Sequence, residues 1–121
     1  EIPEEPLEDE DVYGQRSHSG DEILVEKGPR YKILWTSQYK KDVKRAKKRN
    51  YDMEELYAVI SKLANDAPLE DKYRDHALGG NWSGHRELHI KPDWLLVYRK
   101  QDDVLILELV RTGTHSDLFD K

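Results

Sequence analysis

Four of the five histidines, His76, His85, His89 and His115, fall between Tyr73 and Phe119, interleaved with Asp93, Arg111 and aromatic residues. Imidazole, carboxylate and guanidinium side by side suit acid/base chemistry on a phosphodiester. Metal-free cleavage of RNA needs a base for the 2′-OH proton, an acid for the leaving 5′-oxygen and a cation for the charged phosphorane. Histidine titrates at about 6.5 and serves either proton role near neutral pH. Arginine serves the third through its fixed fork of donors. A carboxylate orients a histidine or takes the proton itself. The rest of the chain offers no nucleophile motif, no phosphate loop and no cysteine.

The elements that must position these groups follow from hydrophobic period. Tyr31–Trp35 reads as a strand. Thr36 or Ser37 caps a helix that carries Tyr39, Val43 and Ala46 at helical spacing and stops at Asn50 in a left-handed conformation. A second helix opens on a capping box, Asp52 with Glu55, runs on the stripe Leu56, Val59, Ile60 and Leu63, and ends at Pro68. About two residues join them, which predicts an antiparallel helical hairpin. After a loop from Leu69 to Gly80 the period becomes two. Asn81–Ile90, Asp93–Lys100 and Val104–Val110 read as strands, with short turns that make neighbours antiparallel. A short helix at Ser116–Phe119 closes the chain. The fold class is α+β: β-α-α-β-β-β, a helical hairpin packed on one face of a small, mostly antiparallel sheet. The other face is then solvated or functional. Alternation puts His85, Glu87 and His89 on that face and Arg86, Leu88 and Ile90 under the helices. Asp93 follows across the Pro92 turn, and Arg111 ends the last strand just before His115.

His85-x-Glu87-x-His89 offers three ligands of zinc type on one face. It is not the helical H-E-x-x-H arrangement, and neither a metal nor a cofactor is expected. Lys40, Lys41, Lys44, Arg45, Lys47, Lys48 and Arg49 crowd ten residues of the first helix with only Asp42 opposing. Such a run repels itself on a solvated face, so phosphate is its expected partner. Trp94, next to Asp93, is a candidate for stacking on a base, whereas Trp82 and Tyr98 suit packing.

Charge divides the chain. Residues 1–29 hold ten acids against Arg16 and Lys27, net −8, while the remaining 15 acids and 18 bases give +3. Residues 1–22 are too polar to bury a core and are expected to be a disordered acidic arm. Residues 23–29 are an extra strand, Ile23–Val25, or a linker. No apolar run approaches the roughly 20 residues that cross a bilayer. The start, E-I-P-E-E-P, lacks the basic region of a secretion signal, and the absence of cysteine suits a cytoplasmic protein.

The segment D-H-A-L-x-G-x-W-x-G-x-R-E-x-H-I-x-P-D-W-L-L-V-Y, closing with R-T-G-T-H-S-D-L-F, resembles the YafQ branch of the RelE/ParE toxin superfamily. The resemblance covers residues 30–119, with 30–121 as the toxin domain; residues 1–29 match nothing in that family. It implies a ribosome-dependent endoribonuclease, the toxin of a type II toxin–antitoxin pair. Such toxins enter the ribosomal A site and cut mRNA through 2′-OH attack, without metal, leaving a 2′,3′-cyclic phosphate. With that resemblance the acidic arm is open to three readings: a solubilising tail or remnant, a fused antitoxin segment, or a cis mimic of an antitoxin covering the basic helix. The implied catalytic positions are His76, His89, Asp93, Arg111 and His115, and the C-terminal aromatic position is Phe119. His115 and Asp93 are the expected proton-transfer pair, Arg111 the phosphate stabiliser, and His76 and His89 orienting or assisting groups. Lys40, Lys41, Lys44, Arg45, Lys47, Lys48, Trp94 and Phe119 are expected to face RNA, with mRNA and the ribosome (16S rRNA) reached through the basic helix and a small antitoxin as the protein partner. His85 departs from the pattern, since relatives usually carry an aromatic residue there. Two rivals remain open at this point: a ParE-like gyrase inhibitor and a non-catalytic RNA- or ribosome-binding module.

Overall fold

The computed structural model describes residues 30–119. The acidic arm and the Ile23–Val25 strand candidate lie outside the described residues. The order is β1 (Lys32–Trp35), α1 (Ser37–Lys48), α2 (Met53–Ala64), β2 (His76–Ala77), β3 (Arg86–Lys91), β4 (Trp94–Gln101), β5 (Ile106–Gly113) and α3 (His115–Phe119).

Helix α1 starts where the hydroxyl of Thr36 accepts the Tyr39 N–H at 3.0 Å. The same hydroxyl donates to the Val110 carbonyl at 2.9 Å, which fixes the helix start to β5. Asn50 takes the expected left-handed conformation, φ +64°. Helix α2 starts at Asp52, as expected, but the reciprocal box does not form. Asp52 accepts from the Glu54 N–H, and Glu55 instead pairs with Lys91 at 3.2 Å. The helix also ends before Pro68. Asn65 caps Ala64 and bonds the Ser61 carbonyl, and Asp66 turns left-handed at φ +61°, so the stop is made before the proline is reached.

The sheet order is β1-β5-β4-β3-β2, parallel between β1 and β5 and antiparallel elsewhere. Two expectations need correction here. The run Asn81–Ile90 is not one strand: a 3-10 turn at Gly80–Trp82 precedes β3. The loop Leu69–Gly80 is not featureless either. It holds a second 3-10 turn, Asp71–Tyr73, and the short edge strand β2, which places His76 opposite Glu87. Asp75 anchors that edge by accepting from Arg86 at 3.1 Å and from the Tyr98 hydroxyl.

The main core lies between the helices and one sheet face, with Tyr39, Leu56, Ile60, Leu88, Leu96, Tyr98, Leu107 and Leu109 fully buried. The second face is not simply open, as the period alone suggested. Leu95, Val97 and Leu118 bury themselves there, with Leu78, Trp82 and Val110 packed against them. Each fully buried leucine contributes on the order of 2 kcal/mol. That suffices to hold the loop before β3 and helix α3, too short to stand alone, against the sheet. Those two pieces bring His76 and His115 to the edges of the covered area.

Candidate active site

The histidines form a row of rings across the second face. His76 and His89 are 6.3 Å apart between centroids, His89 and His115 5.9 Å, and His115 and Phe119 6.3 Å. Trp82 continues the row, edge-on to Phe119 at 5.6 Å and to His85 at 5.5 Å. Three separate elements, β2, β3 and α3, therefore supply neighbouring imidazoles.

Each ring is oriented by its own acceptor. His89 Nδ1 lies 3.3 Å from the Pro92 carbonyl. A carbonyl only accepts, so Nδ1 carries the hydrogen and Nε2 of the neutral ring is left with the lone pair. His115 meets Asp93 Oδ1 twice, through Nδ1 at 3.3 Å and through its backbone N–H at 3.3 Å. The pairing again leaves Nε2 without a hydrogen-bond partner among the described residues. His76 differs, because both nitrogens are engaged. Nδ1 lies 2.8 Å from the Arg74 carbonyl and Nε2 lies 3.1 Å from Glu87 Oε1. His85 turns away toward the carbonyls of Trp82 and Ser83 at 3.2 and 3.4 Å. His85, Glu87 and His89 thus have separate partners, and among the described residues no three such groups are disposed to hold a metal ion.

Arg111 reaches its place through a break in register. Val97 pairs with Arg111 but Tyr98 pairs with Leu109, so Val110 is an extra residue on β5. Such a bulge turns the following side chains over. Thr112 then sits opposite Leu96 on the core side and Arg111 opposite Val97 on the second face. Arg111 Nε and Nη2 donate to Asp42 at 2.8 and 3.1 Å.

The turn that follows is fixed by Asp117. Thr114 and Asp117 form the capping box of α3: the Thr114 N–H donates to Asp117 at 2.9 Å, and the Asp117 N–H donates to the Thr114 hydroxyl at 3.0 Å. Asp117 also accepts from Arg49 at 2.8 Å and pairs with Arg45 at 3.7 Å. The Arg49 hydrogen bond is the main reason its carboxyl is held well below the usual carboxylate range. Gly113 is required at this crossing. A Cβ there would stand 2.8 Å from Asp117 Oδ2 and 3.0 Å from Arg45 Nη2.

The residues expected to face RNA divide into four groups. Lys40, Lys41, Lys44, Lys47 and Lys48 are exposed on α1, as a phosphate-binding surface requires. Arg45 is half-buried and committed to Asp42 and Asp117. Trp94 is a correction. It is 3% exposed, its Nε1 donates to Thr112 Oγ1 at 3.0 Å and its ring packs 4.7 Å from Tyr51, so it belongs to the core and cannot stack on a base. Phe119 remains accessible within the ring row, between His115 and Trp82.

The pairing of Asp42, Glu87 and Asp117 with Arg111, His76 and Arg49 is not foreseen from the sequence. Each left a trace. Asp42 lies on the buried stripe with Tyr39, Val43 and Ala46, where an acid has no reason to be unless paired. Glu87 alternates with His85 and His89, and Thr114-x-x-Asp117 is a cap signature.

Known proteins share this architecture. The family described as YafQ, bacterial toxins of type II toxin–antitoxin systems, matches residues 31–120. The mRNA interferase toxin YafQ of Escherichia coli is 47% identical over 88 residues, 72% of this chain and 94% of that protein. The putative toxin YafQ of Haemophilus influenzae is 33% identical over 90 residues, 70% of this chain and 88% of that protein. Among solved structures, the E. coli DinJ–YafQ toxin–antitoxin complex is similar at TM-score 0.69 and 44% identity, covering 74% of this chain and 98% of that one. A metal-bound toxin from Helicobacter pylori is similar at TM-score 0.70 and 43% identity, covering 74% and 99%.

Proposed function

We propose that this chain, which belongs to the YafQ family of toxins from type II toxin–antitoxin systems, is an mRNA interferase that cuts its message by acid/base catalysis, with the message's own 2′-OH as nucleophile. The observation that carries the mechanism is the Asp93–His115 pair set one ring away from His89, with Nδ1 of each ring engaged and Nε2 of each without a hydrogen-bond partner among the described residues. His115, oriented by Asp93, and His89 handle the two protons. One takes the 2′-OH proton as the phosphorane forms, and the other protonates the leaving 5′-oxygen. The strand 5′ of the cut then ends in a 2′,3′-cyclic phosphate and the strand 3′ of it begins with a 5′-hydroxyl. No metal is needed in this scheme. Arg111 uses Nε and Nη2 on Asp42 and turns its remaining Nη1 to the phosphorane charge. His76, with both nitrogens committed, supports the row rather than moving protons.

The exposed lysines of α1 carry the enzyme to phosphates of the ribosome and its bound message, which makes cutting dependent on ribosomes and places the activity in the cytoplasm. Phe119 supplies a ring beside the cut. A small antitoxin neutralises the toxin, as DinJ accompanies the E. coli relative in its crystal structure.

Primer extension on a translated message, with and without ribosomes, tests this. Cuts appear only with ribosomes and vanish in His115→Ala. Intact message together with DNA damage would favour the gyrase-directed reading, and ribosome binding without cuts a simple binding module.

A further inference from the structure

We infer that Asp42 is a positioning residue for cleavage: it aims Arg111 at the phosphate by holding the guanidinium edge-on from inside helix α1. The inference rests on the reading of the site as an RNA-cleaving one.

Asp42 is 1% exposed, although every other residue of its helical stripe is apolar or aromatic. Burying an unpaired carboxylate costs several kcal/mol, so the site must supply donors, and it does. Oδ2 accepts from Arg111 Nε at 2.8 Å and from the Thr112 N–H at 3.1 Å. Oδ1 accepts from Arg45 Nη2 at 3.0 Å, Arg111 Nη2 at 3.1 Å and Gln38 Nε2 at 3.3 Å. The Arg111 bonds use both oxygens against Nε and Nη2. That two-point grip fixes the plane of the guanidinium and leaves Nη1 as the nitrogen with both hydrogens unengaged among the described residues. The Thr112 bond fixes the backbone one residue further along, at the edge of β5 beyond the last residue paired to β1, Leu109.

The Val110 bulge and Asp42 therefore act on the same side chain. The bulge chooses the face on which Arg111 emerges, and Asp42 chooses its direction. A lysine at position 111 would satisfy the charge of Asp42 without any direction. Because Asp42 grows from the helix that carries the exposed lysines, the surface that meets phosphates and the cation that meets the scissile phosphate share one rigid support.

A double-mutant cycle tests this by single-turnover cleavage of a ribosome-bound message at saturating toxin. Asp42→Asn keeps the shape and lowers the cleavage rate on the order of a hundredfold, the usual size for a displaced catalytic group. Its affinity for ribosomes stays at the wild-type level. Arg111→Ala loses at least as much, and the double variant cleaves no more slowly than Arg111→Ala alone, because Asp42 has nothing left to aim. A double variant that loses the product of the two single effects overturns the inference. Thermal melts followed by circular dichroism accompany each variant. Should Asp42→Asn fail to fold, Arg111→Lys carries the test: it keeps the charge but not the two-point grip. A wild-type cleavage rate for Arg111→Lys overturns the inference, and a loss like that of Arg111→Ala supports it. Wild-type toxin that cuts no message contradicts the RNA-cleaving reading instead, before any variant is compared.

Discussion

The two ends of the histidine row are built on opposite terms. At the β2 end, His76 pairs with Glu87, whose side chain is 6% exposed. At the α3 end, His115 pairs with Asp93, and both side chains are more than half exposed, at 56% and 69%. A buried carboxylate whose partner is already chosen cannot easily exchange it, since any rearrangement strands a charge away from water. An exposed pair is screened and loosely held, and it changes partners at little cost. In the proposed mechanism the first end is scaffold and the second is the place where protons move. His89, between them, takes its orientation from a backbone carbonyl and its position from β3, where it pairs with Leu95.

The largest effects belong at the exposed end. His115→Ala or Asp93→Asn abolishes growth arrest while the melting curve stays that of wild type. The expected loss in cleavage rate is about a hundredfold to ten-thousandfold, as for removal of a positioned acid or base. Wild-type cleavage by both variants would sink the proton-transfer assignment. At the buried end, Glu87→Gln slows cleavage about tenfold and lowers stability by about 1–3 kcal/mol, the cost of disturbing a buried hydrogen-bonded charge. If Glu87→Gln matched His115→Ala in rate, the two ends would not differ in kind.

Smaller effects sharpen the picture away from the row. Replacing Lys44 and Lys48 by alanine weakens ribosome binding and flattens its salt dependence by about 0.7–0.9 for each phosphate no longer neutralised, with the rate at saturation unchanged. Asp117, its side chain 14% exposed, lies between the two ends in burial and serves stability. Its folded pKa is depressed by Arg49, so its contribution is complete above the unfolded carboxylate value of about 3.9 and fades as pH falls toward the folded one. Asp117→Asn is therefore less stable than wild type by roughly 1 kcal/mol at pH 7. Urea melts at pH 7 and pH 3 check this, and the gap narrows at the lower pH.

What the sequence makes legible follows from what each feature depends on. The α1 cap at Thr36, the stop at Asn50 and the stripe of α2 depend on neighbours three or four residues away, and they come out as read. The placement of His89 and Asp93 around a tight turn does too. Misplaced features depend on distant partners. Trp94 looks like a stacking ring beside Asp93, yet Thr112 and Tyr51 draw it inward. Strand β2 is two residues long and exists because β3 lies beside it. The Val110 bulge has no local signature, although without it Arg111 would share the face of Leu107 and Leu109. Arg45 reads as one of seven free bases, and only the fold shows it held between Asp42 and Asp117.

The central claim is that the exposed Asp93–His115 pair and His89 drive attack by the message's own 2′-hydroxyl. The most direct test is the chemistry of the cut ends on a ribosome-bound message, read with a matched message carrying a 2′-deoxy nucleotide immediately 5′ of the cut. The account predicts 2′,3′-cyclic phosphate and 5′-hydroxyl ends on the all-ribose message and no cutting of the deoxy one. Cutting of the deoxy message, or 3′-hydroxyl and 5′-phosphate ends, would contradict it.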